Sequence, residues 1–229
     1  MKLNGKQYDK FILNGKTYDK FYLNNKIYQS LDPGIILDLP LQNNFIDYSV
    51  NAISMVAGGT SNQPTFALSG RKAGEYCAVF NGSQSIKTTT NLPINPDKVT
   101  IAFWIKTTQS ATAIIAENTT DYSVNNAFAV IMRTSVKIDF SDNLGHAVNS
   151  ATSSSLSNNW KHIVIVSDRS QPGINQTKLY VNGVLDTLNN PTADNNGNWI
   201  NAVLHIGQRA GRSLGFNGSL TKLKIYKYP

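Results

Sequence analysis

The sequence predicts an all-β protein: a two-sheet antiparallel jelly-roll sandwich with a small N-terminal β-meander. Three observations carry this expectation. No long stretch beyond residue 34 has helical periodicity. Short apolar runs recur there instead, divided by loops rich in Asn, Ser, Gly and Thr, as in antiparallel sheets closed by frequent turns. Residues 1–30, finally, write one ten-residue unit three times, each copy carrying a turn signal. A chain of 229 residues is long enough to bury a core without disulfide staples, and its single cysteine, Cys77, permits none within the chain.

The opening reads MKLNGKQYDK FILNGKTYDK FYLNNKIYQS. The copies agree at Leu3, Leu13 and Leu23, and at Tyr8, Tyr18 and Tyr28. Asn4-Gly5 and Asn14-Gly15 are two-residue turns of the kind that tolerates positive φ at both positions, and Asn24-Asn25 keeps that character. Between them lie segments such as YDKFIL, whose aromatic and branched residues favour strands. So small a set of hairpins cannot stabilise itself. Its apolar side chains need a partner surface, either the rest of the chain or another protein. Units of this "LNGK-x-Y" kind resemble segments at the start of bacteriophage structural proteins. That resemblance implies an anchoring or oligomerisation role for residues 1–30, with residues 31–229 as a second domain.

Beyond the turn-forming Asp32-Pro33-Gly34, the strands expected in order are IILDL (35–39), EYCAVF (75–80), VTIAFWIK (99–106), AIIAE (113–117), AFAVIM (127–132), VKIDF (136–140), WKHIVIVSD (160–168), TKLYVNG (177–183), VLHIG (203–207) and LTKLKIYK (220–227). In VTIAFWIK, Val99, Ile101, Phe103 and Ile105 share one face and Thr100, Ala102, Trp104 and Lys106 the other. HIVIVS is apolar on both faces, as a strand covered on two sides would be. Asn182-Gly183 is a hairpin turn between LYV and VLD. Trp104 and Trp160, lying inside strands, read as core packing.

Taken in order, GIILDLPL, DYSVN, FNGSQSIKT, VTIAFWIKT, WKHIVIVSD, KLYVNGVLD, LHIGQ and FNGSLTKLKIY resemble the concanavalin A-like, laminin-G-like jelly roll over about residues 34–228. The resemblance speaks for the fold and less for the activity, because one fold carries many functions.

The same fold houses glycoside hydrolases, which need two carboxylates across the scissile bond. The nearest candidates, Asp139 and Asp142 in VKIDFSDN, are three residues apart and point to opposite faces of an extended strand. The only glutamates, Glu75 and Glu117, lie far from them. Cys77 sits in an apolar run, and His146, His162 and His205 show no metal-ligand spacing. No phosphate-cradling or nucleophile-elbow motif is present. The expectation is therefore a non-enzyme with no catalytic residues.

Carbohydrate recognition needs aromatic faces for sugar C–H surfaces and polar groups for hydroxyls. The loop candidates are Trp199, Tyr122, Arg209 and Arg212, although loop aromatics also cap sandwich edges. The resemblance implies a rim calcium for some relatives. Asp47 in DYSVN would be its ligand here, but the last strand reads FNGSLTKLK where relatives carry acids. The cofactor expectation is thus none, with calcium left open at Asp47.

The net charge is +7, and residues 1–30 hold six lysines against two aspartates. The remaining basic residues are scattered, which argues for a solvated surface and against nucleic acid. No apolar run approaches the length of a membrane span, and the opening lacks a signal-peptide core. The combined expectation is a virion-associated protein made in the host cytoplasm, in a tail, baseplate, head fibre or capsid decoration. It contacts other virion proteins, and as a homo-oligomer a second copy of itself, through residues 1–30. Its jelly roll displays a surface for a host glycan. The alternatives are a purely structural coat protein and a bacterial lectin.

Overall fold

The computed structural model describes residues 34–229 apart from 59–61, 95–96, 121–125, 135, 143–150, 153–154, 157, 187–197 and 211–213, together with six short N-terminal strands as backbone. Those six are β1 (Lys2–Leu3), β2 (Lys6–Gln7), β3 (Phe11–Leu13), β4 (Lys16–Tyr18), β5 (Lys20–Leu23) and β6 (Lys26–Gln29). They pair as β1 with β2, β3 with β4 and β5 with β6. Leu3 opposes Lys6, Leu13 opposes Lys16 and Leu23 opposes Lys26, so each pair closes across two residues. Among the described residues these are three separate two-stranded sheets rather than one meander.

The body contributes β7 (Ile35–Leu39), β8 (Met55–Ala57), β9 (Thr65–Leu68), β10 (Tyr76–Asn81), β11 (Ile86–Thr88), β12 (Lys98–Lys106), β13 (Ala113–Asn118) and β14 (Phe128–Arg133). It continues through β15 (Lys137–Asp142), β16 (Ala151–Thr152), β17 (Lys161–Asp168), β18 (Thr177–Val181), β19 (Val184–Leu185), β20 (Leu204–Ile206) and β21 (Asn217–Tyr226). Two sheets result. The first runs β19-β18-β17-β12-β21-β10-β9, with β7 also paired to β21, and the second runs β16-β15-β14-β13-β20-β11-β8. All these pairings are antiparallel, and no α-helix occurs among the described residues, so the protein is an all-β two-sheet jelly-roll sandwich.

Alternation builds the core. Val99, Ile101, Phe103 and Ile105 of β12 are 0–1% exposed, as are Ile163 and Ile165 of β17 and Leu220, Leu223 and Ile225 of β21. They meet Phe128, Val130, Met132, Ile138, Phe140, Leu204 and Ile206 of the second sheet in one cluster. The expectation for HIVIVS is corrected in one respect. Val164 and Val166 are only half-buried, because the outer face of β17 is not fully covered.

The long strand β21 carries an irregularity opposite β12. Lys224 opposes Ala102 and Thr221 opposes Trp104, so β21 has one residue more than β12 between these pairs. Lys222 takes up the slack at φ 54°. Such a bulge re-aims the extra side chain, and bulges concentrate beside functional sites.

Candidate functional site

The outer face of the first sheet, turned away from the core, carries side chains from four neighbouring strands. Trp104 lies opposite His162 on β17 and Thr221 on β21. Lys106 lies opposite Ser219, which in turn lies opposite Val79 on β10. Trp160 precedes β17 and has the same parity as His162, so Trp160, Lys106, Ser219 and Val79 form one row across the sheet.

The loop Ser69–Glu75, which joins β9 to β10, folds back over this face. Gly70 and Gly74 near its two ends have φ of 66° and 72°, which side-chain-bearing residues adopt at a cost. Arg71 lays its guanidinium 4.2 Å from the centre of the Trp104 ring. The other ring neighbour of Trp104 is His162, stacked at 5.0 Å. Arg71 donates through Nε to Glu75 Oε2 at 2.7 Å and through Nη2 to Oε1. The Ser69 hydroxyl donates to Glu75 Oε2 at 3.1 Å, and Lys222, projected by its bulge, brings Nζ to 3.1 Å from Oε1. Burial alone would raise the Glu75 carboxyl, but the hydrogen bonds and charges of Arg71 and Lys222 outweigh it and hold the group below its ordinary value. Burial, aided by the Arg71 charge, pushes the His162 imidazole down, so it is neutral at pH 7.

What the loop leaves uncovered is an open groove of about 290 Å³. Trp160, Lys106, Ser219, Asn158, Asn217 and Thr108 supply most of its chemistry. The Trp160 indole is fixed in place: its Nε1–H donates to the Ser69 carbonyl at 2.8 Å. A ring held by its polar edge, with both ends of the hydrogen bond on the protein, is pre-organised to offer its apolar face to a ligand. Cys77 underlies the groove, and burial raises its thiol, which disfavours the thiolate form.

The residues expected from sequence go elsewhere. Trp199 is 3% exposed and sits in the core, edge-on to Phe128 at 5.8 Å and Phe140 at 5.7 Å, with the Arg169 guanidinium 3.3 Å from its ring centre. It presents no face to a sugar outside. Arg209 donates through Nε to Glu117 Oε1 at 3.1 Å, and Glu117, fully buried, also accepts from the Ala210 N–H at 3.0 Å. This pair pins a loop to the second sheet. Tyr122 and Arg212 lie outside the described residues, as does Tyr8. Leu3, Leu13, Leu23, Tyr18 and Tyr28 fall on the N-terminal strands, whose side chains are outside the description too.

Asp47 does not fit a calcium ion. Its Oδ1 accepts from the N–H groups of Asp38 and Ser49, and its Oδ2 from the Ser49 hydroxyl and the Ile53 N–H, all at 2.8 Å. Those contacts fill the acceptor capacity of a carboxylate, and a hard cation would have to displace them. Asp47 is the hub of the loop after β7. Asp139 is paired with Arg133, its Oδ2 2.6 Å from Nε.

Trp104 and Trp160 are the correction in the other direction. Both are half-buried on the outer face rather than packed in the core. Sequence parity already pointed that way, since Trp104 shares its face with Lys106. The loop that makes a groove of that face left no comparable signal.

A family model described as the concanavalin A-like lectin/glucanases superfamily matches residues 80–229. No curated protein matches the chain. Among solved structures, domain 4 of a GH43 extracellular arabinanase from Geobacillus stearothermophilus, in complex with arabinotriose, superposes with a TM-score of 0.60 at 17% identity, covering 84% of this chain and 91% of that one. The receptor-binding domain of botulinum neurotoxin C/D mosaic serotype gives a TM-score of 0.58 at 14% identity over 85% of this chain. The binding domain of botulinum neurotoxin DC, in complex with SialylT, gives 0.60 at 13% identity over 86%. The match spans about half the length of the toxin domains, 48% in each case. At these identities the likeness is one of fold.

Proposed function

The chain belongs to the concanavalin A-like lectin/glucanases superfamily, and on that premise we propose that it is a non-catalytic carbohydrate-binding module whose ligand lies in the groove on the outer face of the first sheet. One observation carries this reading. The Trp160 indole, held by its hydrogen bond to Ser69, lines an open groove rimmed by Asn158, Asn217, Thr108 and Ser219. An aromatic face beside amide and hydroxyl groups is what a sugar's C–H surface and hydroxyls require. The complexes of the arabinanase domain with arabinotriose and of the toxin domain with SialylT support the reading at the level of fold.

A non-catalytic role is supported by the state of the glutamates. Glu75 is tied to Arg71 and Lys222, and Glu117 is buried against Arg209 on the other sheet. Among the described residues neither stands across a cleft from a second carboxylate as acid and nucleophile must.

The experiment is a glycan screen followed by calorimetric titration of the best binder. Trp160→Ala should weaken binding by about tenfold or more, which corresponds to ~1.4 kcal/mol. Unchanged affinity would place the ligand elsewhere. In the wider proposal, residues 1–30 anchor the module to a phage particle or another assembly and favour a homo-oligomer, the observation behind it being the regular, separable repeat. Full-length protein should then co-sediment with purified particles and protein lacking residues 1–30 should not. Equal co-sedimentation would remove the anchor.

A further inference from the structure

We infer that the groove selects an acidic saccharide, with the Lys106 ammonium meeting a sugar carboxylate. This rests on the reading of the groove as a glycan site. Among the described residues Lys106 is the one charged residue lining the groove, and no aspartate or glutamate joins it there. The neighbouring charges do not compensate it. Arg71 and Lys222 both converge on Glu75, so that cluster carries one positive charge in excess beside the groove. Lys106 itself has no carboxylate within ion-pair distance among the described residues. Its position on β12, between the rows of β17 and β21, keeps the side chain half-buried.

An ammonium taken partly out of water without a counter-ion is costly, and a ligand anion relieves that cost. The row across the sheet sets the proposed pose of a uronate-type sugar. Its ring packs on Trp160, and its carboxylate falls to Lys106, the next residue across the row. The remaining hydroxyls reach Ser219, Thr108, Asn158 or Asn217. A neutral sugar would satisfy the amides and hydroxyls and leave the ammonium unmatched, so the discrimination resides in Lys106 alone.

The test uses the full chain. Galacturonate tetrasaccharide, a glucuronate–N-acetylglucosamine tetrasaccharide and sialyllactose are titrated beside their methyl esters, in low and moderate salt. At least one acid should bind about tenfold more tightly than its ester, with the advantage shrinking as salt rises. Lys106→Met should bring acid and ester to the same affinity, and Lys106→Arg should retain the preference. Trp160→Ala should weaken both forms. Thermal melts of each variant show whether the fold is intact, and Lys106→Met, at a half-exposed position, is the variant least able to disturb it. If ester and acid bind equally and Lys106→Met changes neither, the charge assignment is wrong while the glycan site stands. If neither these probes nor neutral oligosaccharides perturb the Trp160 fluorescence or indole resonance, the glycan site itself is wrong.

Discussion

Glu75 holds the groove wall in place, and Glu75→Gln isolates that contribution. The carboxylate is 6% exposed and accepts from Arg71, the Ser69 hydroxyl and Lys222. The Lys222 side chain is 45% exposed, so its ion pair contributes little after solvent screening. The Arg71 side chain is 16% exposed and bonds both carboxylate oxygens, and a charge-assisted bond of that kind is worth roughly 1.5–3 kcal/mol. Glutamine keeps one acceptor but turns an amide donor toward the guanidinium. The expected loss is about 2–3 kcal/mol at pH 7, measured by urea unfolding. The pH dependence gives a second check. The folded carboxyl lies below its unfolded value, so between the two the unfolded chain binds more protons. The stabilisation is complete above the ordinary value, near about 4.3, and is lost as pH falls through the depressed folded value. The gap between wild type and Glu75→Gln should therefore close in acid. A loss within the ~0.5 kcal/mol of an ordinary surface change, or a gap that persists at low pH, would refute the assignment.

The two tryptophans should separate cleanly. Trp199→Ala removes a core ring touching Phe128 and Phe140 and should cost about 3–5 kcal/mol in urea unfolding, whereas Trp160→Ala should cost far less stability while lowering glycan affinity. Asp47→Ala strands the buried N–H groups of Asp38, Ser49 and Ile53 and should cost about 3 kcal/mol or more. For the same reason millimolar calcium or a chelator should leave the melting temperature of the wild-type protein unchanged, and a calcium-dependent rise would show that Asp47 can exchange its hydrogen bonds for a cation.

Much of the sandwich was legible because alternation is a strong signal where one face is dry. VTIAFWIK and VKIDF sort their residues by face, and β12 and β15 follow. Strands β8, β9, β11 and β16 escaped notice because MVA, TFAL, IKT and AT are too short to show a period. The site was harder to read, since it depends on chain return. Trp199 follows an Asn-rich stretch and looks exposed, yet its own ring lies in the core beside Phe140. Trp160 abuts a strand and looks buried, yet its strand turns that parity outward. Only the tertiary position of Ser69–Glu75 makes the outer face a groove, and nothing local in SGRKAGE announces that Arg71 will lie on Trp104.

The two outer faces of the sandwich differ in how they are closed, and that difference supports placing the proposed site on the first sheet. On the second sheet, Ile114, Ala129 and Ile131 are 0–5% exposed and form a small dry cluster with Leu214 over it. The covering loop is fastened by the Ile114 N–H to the Leu214 carbonyl at 2.8 Å and by buried Glu117 holding Arg209 and the Ala210 N–H. Around that cluster the face is closed mainly by apolar side chains, with Glu117 satisfied by Arg209 and Ala210. On the first sheet the covering loop is fastened as firmly, through Glu75, Arg71 and the Trp160 indole, but it spans only part of the face. Beyond its edge lie an indole face, amides, hydroxyls and an ammonium. The first is open where its polar groups converge, and that is where the proposed glycan, with its hydroxyls and anionic group, would sit.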